Sequence, residues 1–355
     1  MESDPSRRVN SARTRLVRAL RGARGKQRLG LARRAALLFV IGLALDLGIQ
    51  AFRQAREHQA LSRSATFVND DGRRIRYLLR GGAQPGPTVV LISGFSSGLE
   101  QWDELQEHLR AHAPVLAYDR GGLGLSDPGL GYDADAQADE LARLAKLAKL
   151  KLPLVLLGYS SSAFTARAFA RRHPELLGGI VLLDPTLPDD ILGKTWGETY
   201  ARRVQYERSP LLAAFKAAIG FMRPKKLPPG APPAQKHVGV IMGWRSHWWA
   251  AYREGRQIAR SAQESELDWS KLNVPVALLS VAQEHGTPET KRRFLAHRAM
   301  AEAAGATFVN RPGWRHDQIV HEPAFLRELA GVVASVSMRA RSALPTPPLP
   351  VRAAE

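Results

Sequence analysis

The chain has 355 residues, 45% of them hydrophobic, no cysteine and a net charge of +18. That apolar content supports a real core, and the length suits one large α/β domain with insertions. The missing cysteines exclude disulfides, thiolate zinc sites and cysteine nucleophiles.

The charge is concentrated at one end. Residues 1–34 carry eleven Lys and Arg against Glu2 and Asp4, a local +9 and half of the total. A basic arm can face an acidic membrane surface or bind nucleic acid, and its position directly before an apolar run fits the membrane better. That run is "AALLFVIGLALDLGIQAF", Ala35–Phe52, apolar without a break to Leu45 and then interrupted by Asp46 and Gln50. Each Leu, Ile, Phe or Val favours insertion by about 0.3–0.6 kcal/mol, against a cost of about 2.5–3.5 kcal/mol for an Asp at mid-span. Asp46 lies near the far end, where the cost falls. The expectation is an uncleaved anchor over residues 35–56 with membrane lipid as its partner. By the positive-inside rule the arm is cytoplasmic and the body extracytoplasmic. An amphipathic arm lying on an acidic membrane, and a helix packed on the domain, are the alternatives. Nucleic acid is not expected as a partner.

From Ala65 the pattern becomes that of a folded domain. "RRIRYLLRG" (Arg73–Gly81) alternates like a half-exposed strand, and "PTVVLISG" (Pro87–Gly94) is a short buried run. "QWDELQEHLRAH" (Gln101–His112) has helical spacing, with Trp102, Leu105 and Leu109 on one face. "APVLAYD" (Ala113–Asp119) is a second buried strand. "DADAQADELARLAKLAKL" (Asp133–Leu150) is a helix with Leu141, Leu144 and Leu147 inward and Lys146 and Lys149 outward. Buried strands recur at Leu152–Ser160, Gly178–Asp184, Asn273–Val281 and Ala306–Asn310, with a helix over Ser161–Arg172. Alternating buried strands and helices predict an α/β fold, a mostly parallel sheet with helices on both faces. Residues 185–272 are too many for one crossover helix and are expected to form a helical cap insertion in a domain spanning 65–337. The Pro-rich tail 338–355 is expected to be disordered.

The stretch "GYSSS" places Ser160 where a strand runs straight into a helix. A sharp turn there lifts one side chain clear of the backbone. It needs small residues two before and two after, here Gly158 and Ser162. The helix start offers free N–H groups to a developing oxyanion. Several further pieces fall in one order: "VVLISGFSSGLEQW", "LAYDRGGLGLSDPG", "LLGYSSSAFTARAFARRHPELLGGIVLLDP", "VPVALLSVAQEHGTP" and "GWRHDQIVHEPAFL". Over about 65–337 the chain resembles the α/β-hydrolase superfamily, the serine-nucleophile members with a helical cap.

The resemblance implies Ser160 as nucleophile and His316 as general base. It implies an acid at Glu284, where the family commonly has Asp in D-x-x-T-P, with Asp184 as the alternative. The implied oxyanion hole is the backbone N–H of Phe95 and of Ser161. Ser93 and Ser162 depart from the family's usual residues at their positions. The implied activity is an esterase-like or lipase-like serine hydrolase acting on an acyl bond of a small molecule through an acyl-enzyme. The cap is expected to give an apolar pocket and so a hydrophobic substrate. Ser160 argues against dehalogenases and epoxide hydrolases, which need a carboxylate nucleophile. Cofactor-free haloperoxidase or carbon–carbon hydrolase chemistry uses the same triad. A membrane-anchored, non-catalytic binding protein is the reading from another class. No metal and no cofactor are expected. Trp244, Trp248 and Trp249 are read as cap core and pocket wall, and Asp127 as the residue that ties down the turn 121–124.

Overall fold

The computed structural model describes residues 5–193, 195–222 and 230–342. It divides into two compact units, residues 1–53 and 54–355. The first is formed by α1 (Pro5–Ser62), whose last nine residues belong to the second; the helix is continuous, so the basic arm and the apolar stretch share it. No proline follows Pro5 within it, and Arg, Ala and Leu are strong helix formers. Its apolar side chains are exposed, Phe39 at 71% and Phe52 at 66%. By length and composition it is the one described helix able to cross a membrane.

The second unit is built on an eight-stranded sheet in the order β1-β2-β4-β3-β5-β6-β7-β8. The strands are β1 (Thr66–Asp70), β2 (Arg73–Arg80), β3 (Thr88–Ile92), β4 (Val115–Tyr118), β5 (Leu154–Tyr159), β6 (Leu177–Leu183), β7 (Val276–Ser280) and β8 (Thr307–Asn310). β1 and β2 are antiparallel to their neighbours; β4, β3 and β5–β8 are mutually parallel. β3, β5, β6 and β7 are buried along their whole length, which is why their sequences read as unbroken apolar runs.

Helices cover both faces. On one, α3 (Ala134–Leu147) and α4 (Ser162–Arg172) pack with Phe164 and Phe169 fully buried. On the other, α2 (Asp103–Leu109) and α11 (Pro323–Ser342) enclose Trp102, Leu105, Leu329 and Val333. Each such side chain contributes about 1.5–3 kcal/mol by leaving water. Asp133 caps α3, accepting a 2.9 Å hydrogen bond from Ala136 N. Two expectations are corrected here. Leu147 is 41% exposed: two steps of three from Leu141 turn it well off the face that buries Leu141 and Leu144. α11 runs to Ser342 and buries Ala340, so residues 338–342 are helix; residues 343–355 of the expected tail lie outside the described residues.

Between β6 and β7 lie α5 (Pro188–Leu192), α6 (Trp196–Arg203), α7 (Ser209–Ala218), α8 (Pro233–Ile241) and α9 (Arg245–Glu264). A π-helical turn, Val204–Arg208, joins α6 to α7 without a break. Gly255 lets α9 meet this turn backbone to backbone, since a Cβ there would overlap Tyr206 O. α10 (Pro288–Ala303) follows β7.

Candidate active site

Ser160 stands at the end of β5 with φ of +57°, a left-handed conformation that a non-glycine residue adopts only when its surroundings impose it. The surroundings are specific. Ser160 N donates to Leu183 O (3.0 Å) and Ser160 O accepts from Thr186 N (3.0 Å), tying the turn to the end of β6. Gly158 suits the tight approach: a Cβ there would lie 3.1 Å from Ser162 O and 3.2 Å from Ala166 Cβ. Ser162, where the family usually has glycine, is more than a tolerated small residue. Its Oγ lies 2.8 Å from both Ile92 O and Tyr159 O, and its single hydroxyl proton is shared between them. It therefore links the end of β3 to the turn.

His316 lies in the loop between β8 and α11. Ser160 Oγ donates to His316 Nε2 at 2.9 Å, and His316 Nδ1 donates to Asp184 Oδ2 at 2.5 Å. A carboxylate only accepts, so Nδ1 carries the proton and Nε2 is the free acceptor facing the serine. Tyr159 holds the histidine from behind, its hydroxyl donating to His316 O (2.5 Å) and its ring stacked on the imidazole at 5.0 Å.

The expected acid, Glu284, is not the partner of His316. It sits exposed in the turn after β7, while the histidine loop faces the end of β6, one strand nearer the serine. Asp184, the alternative, is fully buried there, with Val281 N donating to its Oδ1 at 3.1 Å. Arg293 Nη2 lies 3.5 Å from Oδ2, and His297 Nδ1 lies 3.8 Å from Oδ1. Burial alone would raise the Asp184 pKa. The hydrogen bond from His316 and the charge of Arg293 outweigh it and hold the carboxyl below its ordinary value.

The loop carrying Phe95 lies against the serine. A Cβ on Gly94 would be 3.4 Å from Ser160 Cβ. Gly94 N is taken by Gln101 Oε1 (3.3 Å), which leaves the next N–H, that of Phe95, as the oxyanion candidate beside Ser161. Arg120, buried, donates to Ser93 O and to Gly94 O (3.0 Å), and Glu254 of α9 meets it with both oxygens at 3.0 Å. His247, also on α9, accepts from Gly124 N (3.2 Å) and donates through Nε2 to Ser96 O (3.0 Å). Burial pushes its pKa down to about 4, so both bonds are those of a neutral ring. The turn 121–124 is held from inside by Asp119, which accepts from Leu99 N (2.8 Å) and Leu125 N (3.0 Å). Asp127, the expected tie, fastens the turn to β2 through Arg74 N (2.8 Å).

Ser160 and His316 open on a cavity of about 710 Å³. Its wall differs from the apolar one expected. Asp189, Glu198, Arg202, Gln205, Glu289 and Arg292 line it, and Trp244, Trp248 and Trp249 do not. Trp244 is instead buried against Leu125 and Ile241, and Trp249 is 43% exposed.

A sequence profile for the alpha/beta hydrolase fold matches residues 87–227. The pimeloyl-[acyl-carrier protein] methyl ester esterase of Chromobacterium violaceum is 27% identical over 69% of this chain and 93% of its own. An uncharacterized Bacillus subtilis protein, YqjL, is 32% identical over 29% of this chain; that match spans 42% of YqjL. An esterase from Thermogutta terrifontis shares the fold, with a TM-score of 0.56 and 21% identity over 78% of this chain and 99% of its own. The chain has the α/β-hydrolase fold, and the proteins it is similar to include esterases.

Proposed function

We propose that this protein is a serine hydrolase that cleaves an ester or similar acyl bond, held at a membrane by α1. The observation that carries the reading is the hydrogen-bonded chain Ser160–His316–Asp184 on a left-handed elbow. Ser160 Oγ attacks the acyl carbon while His316 Nε2 takes its proton. Asp184 keeps the proton on Nδ1 and stabilises the imidazolium that forms. The N–H groups of Phe95 and Ser161 receive the oxyanion. As the intermediate collapses, His316 returns the proton to the departing alkoxide and leaves an acyl-enzyme. Water, deprotonated by the same nitrogen, then releases the acid. The charged cavity wall favours an ester whose flank is polar or ionic rather than wholly hydrophobic. The apolar stretch of α1 and its basic flank support a single span with the hydrolase unit extracytoplasmic.

The test is covalent labelling. A fluorophosphonate should label the wild type and not Ser160→Ala, and ester hydrolysis should fall about 10⁴–10⁶-fold in that variant. Labelling that survives the substitution rejects the assignment. A wild type that neither labels nor turns over a panel of p-nitrophenyl esters supports the non-catalytic binding reading instead.

A further inference from the structure

We propose that the exposed apolar face of α7 is a second membrane contact, so that the cap rests on the bilayer that holds α1. The inference rests on the anchor reading of α1. Leu211, Leu212 and Phe215 are 42%, 52% and 60% exposed, while Pro210, Ala214 and Ala217 are buried. Positions i, i+1 and i+4 share one helix face, so the three form a single apolar patch opposite the packed side. Phe221 follows at 77% exposure.

What covers the patch is indicated by where the chain leaves the span. Gln54 Nε2 donates to Ala217 O of α7 (3.1 Å) and to Gly243 O (3.3 Å), and Gln54 Oε1 accepts from Arg245 N (3.1 Å). Trp244 Nε1 donates to Glu57 Oε2 at 2.9 Å. Gln54 is one peptide bond from the apolar unit, two residues after Phe52. Residues 35–52 thus end two positions along the chain from Gln54, whose side chain is bonded to the last turn of α7. Phe215 is two residues from Ala217, about 3 Å along the helix axis. Arg208 and Lys216 are exposed beside the patch, placed to lay their stems on it and reach lipid phosphates with their charges. The same helical run lines the catalytic cavity with Ala201, Arg202, Gln205 and Tyr206. From Gln205 to Leu212 is about 10 Å along the axis. The substrate class that fits both surfaces is an amphiphilic ester, its apolar part in the bilayer and its polar part in the charged cavity.

The absence of native cysteine allows single-site labelling of the full chain. Leu38→Cys in the span, Phe215→Cys on α7 and Leu152→Cys each receive an environment-sensitive fluorophore. Leu152, 49% exposed, precedes β5 at the end of the strand opposite to Ser160. The proteins are reconstituted in phosphatidylcholine–phosphatidylglycerol vesicles carrying a spin-labelled lipid quencher. Quenching at Leu38 and Phe215, but not at Leu152, is expected. Quenching at Leu38 with Phe215 behaving like Leu152 overturns the cap contact and leaves the anchor standing. No quenching at Leu38 overturns the anchor and this inference with it. An unquenched Phe215 probe, together with an unlabelled Phe215→Cys chain that oxidises to a disulfide-linked dimer, overturns it in favour of a dimer. In a second measurement, Leu212→Glu with Phe215→Glu should lower hydrolysis of a vesicle-borne ester about tenfold. Turnover of a soluble short-chain ester should stay within about twofold, because neither residue lines the cavity. Equal loss on both substrates overturns the inference.

Discussion

Asp184→Asn separates the two acids offered by the sequence. In the wild type one carboxylate oxygen receives His316 Nδ1–H at 2.5 Å and the other receives Val281 N–H at 3.1 Å. An amide cannot meet both donors. If its NH₂ faces His316, the ring must move its proton to Nε2, and Ser160 loses its base. If its NH₂ faces Val281, two donors collide at the end of β7. Either way the productive tautomer is penalised, and losing it costs about 10⁴ in kcat, close to 5.5 kcal/mol. Glu284→Gln, at an exposed turn, should change turnover by less than about twofold and stability by less than about 0.5 kcal/mol. The assay is kcat/KM on a soluble p-nitrophenyl ester, with thermal melting alongside, since removing the Asp184 charge leaves Arg293 facing the more distant Asp190, at 4.0 Å instead of 3.5 Å. A folded Asp184→Asn that keeps activity, or a Glu284→Gln that loses it equally, refutes the reasoning. The pH dependence has a definite sign. Because the folded carboxyl is held below its ordinary value, its stabilisation is full above the unfolded pKa and is lost as pH falls through the folded one. The relative Tm of wild type and Asp184→Asn should therefore converge only in strong acid.

Ser162→Gly restores the residue usual in the family but removes the link from α4 to Ile92 O and Tyr159 O; it should cost about 1 kcal/mol in a denaturant titration, and a stabilised variant would show the link to be inert. For His247, whose pKa falls from 6.5 to about 4 on folding, the unfolded chain takes up the proton first as pH drops. Stability should thus be intact above pH 6.5 and decline toward pH 4, by about 3 kcal/mol in all, more steeply than in His247→Gln; parallel pH–stability curves would reject this. Glu254→Gln leaves the buried Arg120 charge uncompensated and should cost about 3–5 kcal/mol, read by calorimetry, with kcat falling more than KM rises.

Much of the sheet is visible in the sequence because β3, β5, β6 and β7 are buried on both faces and carry no compromise with solvent. β1 escapes notice for the opposite reason: "TFVND" pairs only with β2 and buries two of its five residues. Ser160 and His316 are legible because the elbow and the histidine loop have local signatures. The acid does not, since spacing along the chain cannot say which strand end the histidine loop faces. The available signal is chemical. In "IVLLDP" a charged residue closes a fully apolar strand, and a carboxylate placed there must find partners. The supports of the oxyanion loop are harder still. Arg120 and Glu254 lie 134 residues apart, and nothing near either one announces the pair.

Those supports bear on what the cap does. A cap that only roofs the cavity would shape substrate binding and leave the chemistry to the sheet. Here α9 holds the loop that carries Phe95, the proposed oxyanion donor, through His247 on Ser96 O and through Glu254 and Arg120 on the carbonyls of Ser93 and Gly94. It is also fastened to the start of α3 by Ser261 Oγ, which accepts from Ala134 N at 2.9 Å. An oxyanion donor is useful only when it is fixed before the charge develops, because reorganising it during the reaction would consume the stabilisation it provides. The position of Phe95 N–H is thus set from two sides, by β3 behind it and by the cap above it. Substitutions in α9 that never touch substrate should accordingly be read in kcat, while those in α6, which lines the cavity, belong to KM.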